Sequence, residues 1–516
     1  MPSCRNLTIA SRFRYVGPVQ PRGEDRIKPS LLTLCLLVAA GCAADVQPSP
    51  QAADPYPDDW VAVTTVPLPH GVASGDVASR SAQVWLRTSG PAQVEVSWRP
   101  VDEPGSGMLP GLPQSPERGR TLAVSTTQAR DYTATVRLDN LLPATRYRYR
   151  VKARRTDQQS PREIVEETGS GLFETAPADD KSHRLTFLWS GDLGGQKRCR
   201  DTWVGYPIFY RMLQVKPAFA LLLGDTIYGD DVCPSPPNAP GSEFAAETLD
   251  QFRAKHRYQR GSVALQRFLA AVPVYVTWDD HEVRNNFSGP HDPLTPVGRQ
   301  AFLEYWPVGT PPEDPTRLYR KFRRGADAEF FLLDTRQYRD RNADRDSPTK
   351  TMLGKAQREW LIDGLVRSTA TWKFIVTTVP LSNPKGGSTL LPGNDSWARA
   401  ADGTGFQTEL RTIVNALLKA RVRNVVWLAG DVHYTQVNAY DPNGDGIPDF
   451  HEFIAGPLSA YPGKPVPPDP LFKPTTFHSE GGFYNFGLVT VNKGDLRVEI
   501  VDESGLPRFT RTFKAQ

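Results

Sequence analysis

The sequence predicts a two-part fold, a small all-β sandwich followed by an α/β layered domain in which β-sheets are flanked by helices. Three observations predict it. Short alternating segments fill the region from about 65 to 176. From about 177 onward, apolar strand-like runs alternate with amphipathic helical stretches. Several of those runs also break abruptly into Gly-Asp, as in "LLLGDTIYGDD" at 221–231, where three leucines lead into Asp225, Tyr228, Asp230 and Asp231. A short apolar run suits a strand buried on both faces, and the exit of such a strand is where open α/β sheets place their ligands.

Taken in order, the chain begins with Arg22, Arg26 and Lys28 ahead of "LLTLCLLVAAGC" at 31–42. That apolar stretch is short for a membrane span and reads as a secretory h-region. Ala39, Ala40, Gly41 and Cys42 resemble a bacterial lipoprotein box, in which Cys42 would be lipidated and become the mature N-terminus. A plain signal peptide cleaved nearby is the alternative, and both imply export, to the periplasm, to a membrane-anchored state or outside the cell. Residues 1–44 are therefore assigned to a leader, and 45–64, rich in Pro, Ala and Asp, to a flexible tether. Of five cysteines, only Cys199 and Cys233 lie beyond the leader and its box, each in a loop past a candidate site strand. An oxidising compartment favours a disulfide between them, against the competing reading of one free metal-ligating thiol.

The sandwich is assigned to 65–176. In "AQVWLRT" (82–88) Val84 and Leu86 share a face, and in "QVEVSWR" (93–99) Val94, Val96 and Trp98 do the same. A turn after Leu141 and Pro143 followed by Tyr147 and Tyr149 resembles the tyrosine corner of fibronectin- and immunoglobulin-like sandwiches. A long Pro/Gly loop at 103–119 interrupts the module. The α/β domain is assigned to 177–516, with strands at "LTFLWSGD" (185–192), "AFALLLGD" (218–225), "VPVYVTWDD" (272–280), "WKFIVTT" (372–378) and "NVVWLAGD" (424–431). Helices are read at 355–368, with Trp360, Leu361, Leu365 and Val366 as the apolar face, and at 406–420, with Phe406, Leu410, Ile413 and Leu417 on one stripe. The closing 486–502 reads as a hairpin turning at Asn492 to Asp495.

Charge narrows the function. The 61 Lys+Arg and 57 Asp+Glu leave a net charge of +4, too even to argue for nucleic acid, and no basic run with interleaved aromatics occurs. Membrane contact would come only through an anchor at Cys42, and a monomer is expected.

Four strand ends share one form: "SGDLGG" (190–195), "LGDTIYGDD" (223–231), "TWDDHEVRNN" (277–286) and "AGDVHYT" (429–435). Any one alone reads as a turn or a helix cap, Gly-Asp being a common turn pair. If the strands are neighbours, their ends gather several carboxylates that repel one another unless cations neutralise them. A polynuclear metal site is the economical explanation. Carboxylates, a phenol and one or two imidazoles are mostly hard ligands. Tyr228, three residues after Asp225, can turn back onto the same ion, and a phenolate favours trivalent iron, while an oxygen-only neighbour suits calcium or manganese. Two bridged cations clamp a phosphate and acidify water, the logic of two-metal phosphoester hydrolysis. Asp334 and Arg336, at a further strand end, are read as organising the site from behind.

With these motifs in place, the chain resembles the alkaline phosphatase D (PhoD-like) phosphatases, a branch of the calcineurin-like metallophosphoesterases. "HGVASGDVASRSAQVWLRT" (70–88) resembles that family's N-terminal sandwich. "LGDTIYGD", "WDDHEVRNN", "LGKAQREWL" (353–361) and "LAGDVHYT" resemble its catalytic motifs in the right order. The resemblance implies a metallophosphoesterase domain in which Asp192 ligates one metal, Asp225 bridges two and Tyr228 completes an iron site. Asp431 and His433 would be ligands, Asp431 standing where the superfamily usually has a histidine. Either Asp280 or Asn285 would be a further ligand. His281 would be the leaving-group acid or a phosphate contact, and Arg284 a second phosphate contact. Some relatives carry a cysteine near the position of Asp192, and here "SGDLGGQ" has none.

The implied cofactors are one Fe3+ with one or two Ca2+, with Mn2+ or Zn2+ as alternatives. The implied activity is hydrolysis of a phosphoester, mono- or diester, by a metal-activated hydroxide. An exported phosphodiesterase or phospholipase acting on lipid or teichoic-acid-like diesters is the near alternative, and an inactive glycan-binding surface lipoprotein the distant one.

Overall fold

The computed structural model describes residues 62–101, 120–157, 163–384 and 392–516. The expected leader, its Cys42 and the loop at 103–119 lie outside the described residues.

Along Ala92–Pro100 and Arg146–Arg155 buried and exposed side chains alternate, the signature of a sheet with one face against a core. These strands sit in a five-stranded sheet ordered Ala62–Pro67, Glu163–Glu174, Arg146–Arg155, Ala92–Pro100, Arg120–Thr126. Val94, Val96, Trp98, Tyr149 and Val151 fill its core with Val84, Leu86 and Leu138 from the facing strands. The turn chemistry is that of a tyrosine corner, with the Leu142 N–H donating to the Tyr147 hydroxyl at 2.9 Å.

The apolar strands behave differently: every residue of Phe219–Leu223, Val274–Thr277, Trp372–Val376 and Val425–Ala429 is buried. They form the centres of two mixed sheets. One has nine strands and runs Pro507–Lys514, Asp495–Asp502, Asn485–Asn492, Leu185–Ser190, Phe219–Leu223, Val274–Thr277, Val72–Gly75, Ala82–Arg87, Thr133–Leu138. The other has seven, with Arg320–Arg324, Ala328–Leu332, Trp372–Val376, Val425–Ala429, Phe450–Ile454, Tyr434–Tyr440 and Pro474–Gly481 in that order.

Alternate residues decide which layer each side chain joins. Phe187, Trp189, Leu221 and Leu223 meet Phe330, Phe374, Val376 and Leu428 in one core between the two sheets. The opposite faces carry helices: Ile208–Gln214, Val263–Ala271 and Thr295–Tyr305 on the nine-stranded sheet, Gly354–Arg367 and Gln407–Lys419 on the other. The architecture is helix–sheet–sheet–helix. In Gly354–Arg367, Leu361 and Leu365 are buried as expected, whereas Val366 is 48% exposed, one residue round the helix from the packed stripe.

The segment read as a separate sandwich also feeds the nine-stranded sheet, because Gly75 pairs in parallel with Val274 and Val72–Gly75 pairs antiparallel with Ala82–Arg87. Arg260, fully buried, closes this junction. Its guanidinium lies 3.8 Å from the Trp85 ring centre and 4.5 Å from that of Trp306, and burial lowers its pKa to about 9. Beside it His256 stacks on Tyr305 with ring centres 5.0 Å apart.

Burial, reinforced by Arg260 and Arg257, lowers the His256 pKa from 6.5 to about 3, so folding excludes a proton that the unfolded chain binds. Its stabilising contribution is complete above about pH 6.5 and is lost as the pH falls toward 3. The stability of the metal-free protein relative to His256→Phe, which keeps the stack on Tyr305, should therefore fall by about 1.4 kcal/mol per pH unit between roughly pH 6 and 4. Denaturant unfolding at several pH values reads this, and a pH-independent difference between the two proteins would refute it.

Candidate metal centre

Parallel pairing places the strand ends level. Leu221 lies beside Trp189 and Tyr275, and Val376 beside Leu332 and Leu428, so the loops after these strands leave the same edge of each sheet. At that edge Asp192, Asp225, Asp431 and His433 all have positive φ, between 49° and 68°. Left-handed backbone at four non-glycine residues is costly, and here it turns each strand end sharply back over the sheet. Two glycines permit the close packing. A Cβ on Gly224 (φ +82°) would lie 2.5 Å from the Asp279 nitrogen, and one on Gly456 (φ +136°) 2.5 Å from Asp192 Oδ2.

The result is three overlapping groups whose potential ligand atoms lie within 4.8 Å of one another: Asp192, Asp225 and His433; Asp225, Asp280 and His281; Asp279, Asp280 and Asp431. Asp225 belongs to two of them and Asp280 to two. Every one of these residues is buried. Burial, and then Asp280, Asp279, Glu282 and Asp192 around it, pushes the Asp225 carboxyl well above the ordinary range. Burial, and then Asp225, Asp192, Asp280 and Asp431, raise the Tyr228 phenol as well.

The tyrosine hydroxyl is 3.0 Å from His433 Nε2, and its ring stacks on His281 with centres 4.1 Å apart. His433 Nδ1 faces the Tyr461 carbonyl at 2.7 Å and must donate to it, which leaves the Nε2 lone pair directed at Tyr228 and at Asp192 Oδ1, 3.5 Å away.

Both oxygens of Asp192 and Oδ2 of Asp279 are buried and make no hydrogen bond among the described residues. Buried carboxylate oxygens without donors are strongly destabilising unless a cation meets them. The donor set fits hard cations: mostly carboxylate oxygens, one phenol and imidazole nitrogens.

Two buried guanidiniums supply part of the compensating charge. Arg336 bonds Asp279 and lies 3.2 Å from Asp395, 3.5 Å from Asp280 and 3.8 Å from Asp431. Burial works against its charge, yet those carboxylates hold its pKa well above the usual value. Arg339 stands behind it, donating to the Asp395 carbonyl.

A second tier of residues fixes the loops. Glu282 accepts from the N–H groups of Asp225 (3.0 Å), Thr226 (2.7 Å) and Asp279 (2.8 Å) and from the Thr226 hydroxyl (2.7 Å). One carboxylate thus ties two site loops together, and burial raises its pKa to about 7. Asp230 accepts from His281 Nδ1 at 2.6 Å and from the Asn285 N–H at 2.8 Å, aiming the other imidazole nitrogen toward the cavity. The Asn286 side-chain amide, oriented to donate, reaches Asp280 and Asp395. Asp334, read from sequence as organising the site, accepts from Trp278 Nε1 at 2.8 Å and caps its own turn.

These groups floor an open cavity of about 480 Å³ lined by Asp225, Asp280, His281, Asn285, Asp431 and His433 on its polar side. Asp280 and Asn285 both face it. Arg284 does not: its guanidinium pairs with Asp292 and lines a neighbouring depression, because the turn after His281 carries the side chain outward. Cys199 and Cys233 form a disulfide that ties the two loops beyond the first two site strands.

Sequence reasoning named Asp230 among the strand-end groups without its role on His281, and missed Glu282 and Asp395. The Asp279-x-x-Glu282 spacing is that of a capping box, which the structure contains, so a signal for Glu282 was present. Asp395 follows no apolar strand and has no such signal.

The sequence profile of the PhoD-like phosphatases matches residues 195–482, and that of their N-terminal domain matches residues 57–177. Alkaline phosphatase D of Bacillus subtilis (strain 168) is 29% identical over 413 residues, which cover 72% of this chain and 65% of that relative's length. A solved PhoD structure superimposes with a TM-score of 0.67 at 22% identity, covering 88% of this chain and 93% of the other. The purple acid phosphatase PPD1 from yellow lupin (Lupinus luteus) seeds gives 0.58 at 13% identity, covering 86% and 74%. At these identities the two structures speak for the fold.

Replacing Glu282 with Ala strands up to four donors in a buried site. Denaturant unfolding of the metal-free protein should show a loss of about 3 kcal/mol or more. Glu282→Gln, which keeps one acceptor oxygen, should lose less. A loss below about 1 kcal/mol for Glu282→Ala would mean that the loops do not depend on this carboxylate.

Proposed function

This chain belongs to the PhoD-like phosphatase family, and from that premise we propose that it is an exported, metal-dependent phosphoester hydrolase. The observation that carries the reading is the sharing of Asp225 between two buried carboxylate–histidine groups on the floor of an open cavity.

Asp192, Asp225, Tyr228 and His433 would hold one ion, and the phenol at 3.0 Å from His433 Nε2 supports Fe3+ there. Asp225, Asp280 and Asp431, with the Asn285 amide, would hold a second, and their oxygen-rich character supports Ca2+. Bound cations supply the positive charge that polarises a phosphoryl group and acidifies water.

The chain's own residues do the rest. The Asp230 carboxylate keeps the proton on His281 Nδ1, and burial works to raise its pKa while His281 holds it below the usual range. An imidazolium so oriented can donate from Nε2 to a departing alkoxide. Asn285 at the rim would offer its amide nitrogen to a phosphate oxygen, while the Asn286 amide is engaged with Asp280 and Asp395. Arg284, engaged with Asp292, is left out of this assignment. Export is supported by the h-region at 31–42 and by the Cys199–Cys233 disulfide, and no helix among the described residues is long and apolar enough to cross a membrane.

Elemental analysis of the purified protein should find more than one metal ion per chain, with a tyrosinate-to-iron absorption band if Tyr228 ligates iron. Asp225→Asn should lose at least one ion and about 10³-fold or more in kcat. Metal-replete protein that hydrolyses no phosphoester from neutral to alkaline pH would sink the assignment and favour the glycan-binding reading.

For His281, the leaving group is the probe. His281→Gln should lose about 10²–10⁴-fold on an alkyl ester and much less on a nitrophenyl ester, whose leaving group needs no proton. Asp230→Asn should lose about 10–100-fold on the alkyl ester. Equal losses on both esters would remove His281 from the role of acid.

A further inference from the structure

The cavity is larger than a phosphate requires. Its volume of about 480 Å³ falls in the range that takes small organic ligands, and its lining is chemically mixed. Besides the carboxylates and histidines, it is lined by Pro384, Val432, Tyr434, Tyr461 and Val466. Tyr461 is 57% exposed and Val466 40%, so two apolar side chains stand in solvent at the mouth of a polar site.

The segment that carries them is held by its backbone. The Tyr461 carbonyl accepts from His433 Nδ1 at 2.7 Å, and the Gly463 N–H donates to the His433 carbonyl at 2.6 Å. Gly482 N–H bonds the Gly463 carbonyl at 3.0 Å, and Gln436 Nε2 the Val466 carbonyl at 3.2 Å. Prolines at 462 and 465 restrict the chain between these ties, and Pro467 and Pro468 follow directly. The side chains of Tyr461 and Val466 make none of these bonds. An aromatic ring on a pre-fixed backbone, attached to a residue of the proposed metal centre, costs little entropy to engage a ligand.

We propose that the segment 461–466 is the subsite for the organic group of the substrate, with Tyr461 as the residue that selects phosphoesters of aromatic or other apolar alcohols. This rests on the hydrolase reading and deepens it: the phosphoryl end lies over Asp225 and His433 while the organic group packs on the Tyr461 ring.

The test compares phenyl phosphate with glycerol phosphate in the wild type, Tyr461→Ala and Tyr461→Phe. Neither variant disturbs the carbonyl that bonds His433. The kcat/KM ratio of phenyl to glycerol ester should fall about 10-fold in Tyr461→Ala, chiefly through KM for the phenyl ester, and return in Tyr461→Phe. An unchanged ratio in Tyr461→Ala would overturn the proposal.

Calorimetric binding of phenylphosphonate and methylphosphonate to the metal-loaded proteins separates this from the parent reading. The wild type should prefer the phenyl compound by about 10-fold and Tyr461→Ala should not. A protein that hydrolyses neither ester yet keeps that preference would lose the hydrolase assignment and retain the subsite. One that binds both phosphonates equally would lose the subsite whatever its activity.

Discussion

Mutual repulsion among buried carboxylates is the constraint on which the rest of this structure depends. Asp192, Asp225, Asp279, Asp280, Glu282, Asp395 and Asp431 are all withdrawn from water at one edge of the sheet stack. Ionised groups so placed raise one another's pKa and destabilise the fold unless donors or cations answer them. Glu282 is answered by backbone N–H groups, and Arg336 answers the carboxylates of Asp279 and Asp395, with Arg339 behind it on the Asp395 carbonyl. The Asp192 carboxylate receives no hydrogen bond among the described residues. The protein charge is therefore deployed at the back of the cluster, leaving the carboxylate oxygens at the front for ions. Hydrophobic burial of the strands, between two sheets and under helices on both outer faces, supplies the stability that lets such a cluster exist.

Geometry is imposed from the backbone outward. Left-handed residues at Asp192, Asp225, Asp431 and His433 throw four side chains to one point. Strained turns of this kind persist only where neighbours over-determine them. Glu282 does so for the 225 and 279 loops, and the 461–463 segment does so for His433, through main-chain atoms in both cases on the loop side. Both site histidines have Nδ1 committed to an oxygen, a carboxylate for His281 and a carbonyl for His433, which fixes the orientation of each ring.

Much of this was legible in the sequence, for a local reason. Apolar runs ending in Gly-Asp or Asp-Asp mark buried strands and their exits, and parallel pairing of such strands forces the exits together, so Asp192, Asp225, Asp280 and Asp431 could be gathered without coordinates. Side-chain direction was less accessible. Arg284 sits three residues from His281, yet its course is set by Asp292, eight residues further on. Asp395 comes from a loop with no periodic signal, and its presence beside Arg336 depends on long-range folding alone. The single Gly75–Val274 pairing that joins the first β segment to the central sheet spans 199 positions between partners, and nothing local specifies it. Within a helix the error was one of angle: Val366 follows Leu365 by one position, enough to carry it from the packed face into solvent.

The way the 461–466 segment is fastened separates what must stay fixed from what can vary. Its carbonyl and N–H groups hold His433: any residue at 461 offers the carbonyl, whereas 463 is kept to glycine, since a Cβ there would lie 2.8 Å from the Val432 carbonyl oxygen. The side chains of Tyr461 and Val466 line the cavity and take no part in that attachment. A substitution at 461 or 466 therefore alters the wall that meets a substrate while the histidine keeps its tautomer and position. Under the proposed function, the reaction is written in strand ends and backbone bonds, and the choice of substrate in a few exposed side chains on a rigid loop. That division is how one fold can keep its chemistry while its substrates change.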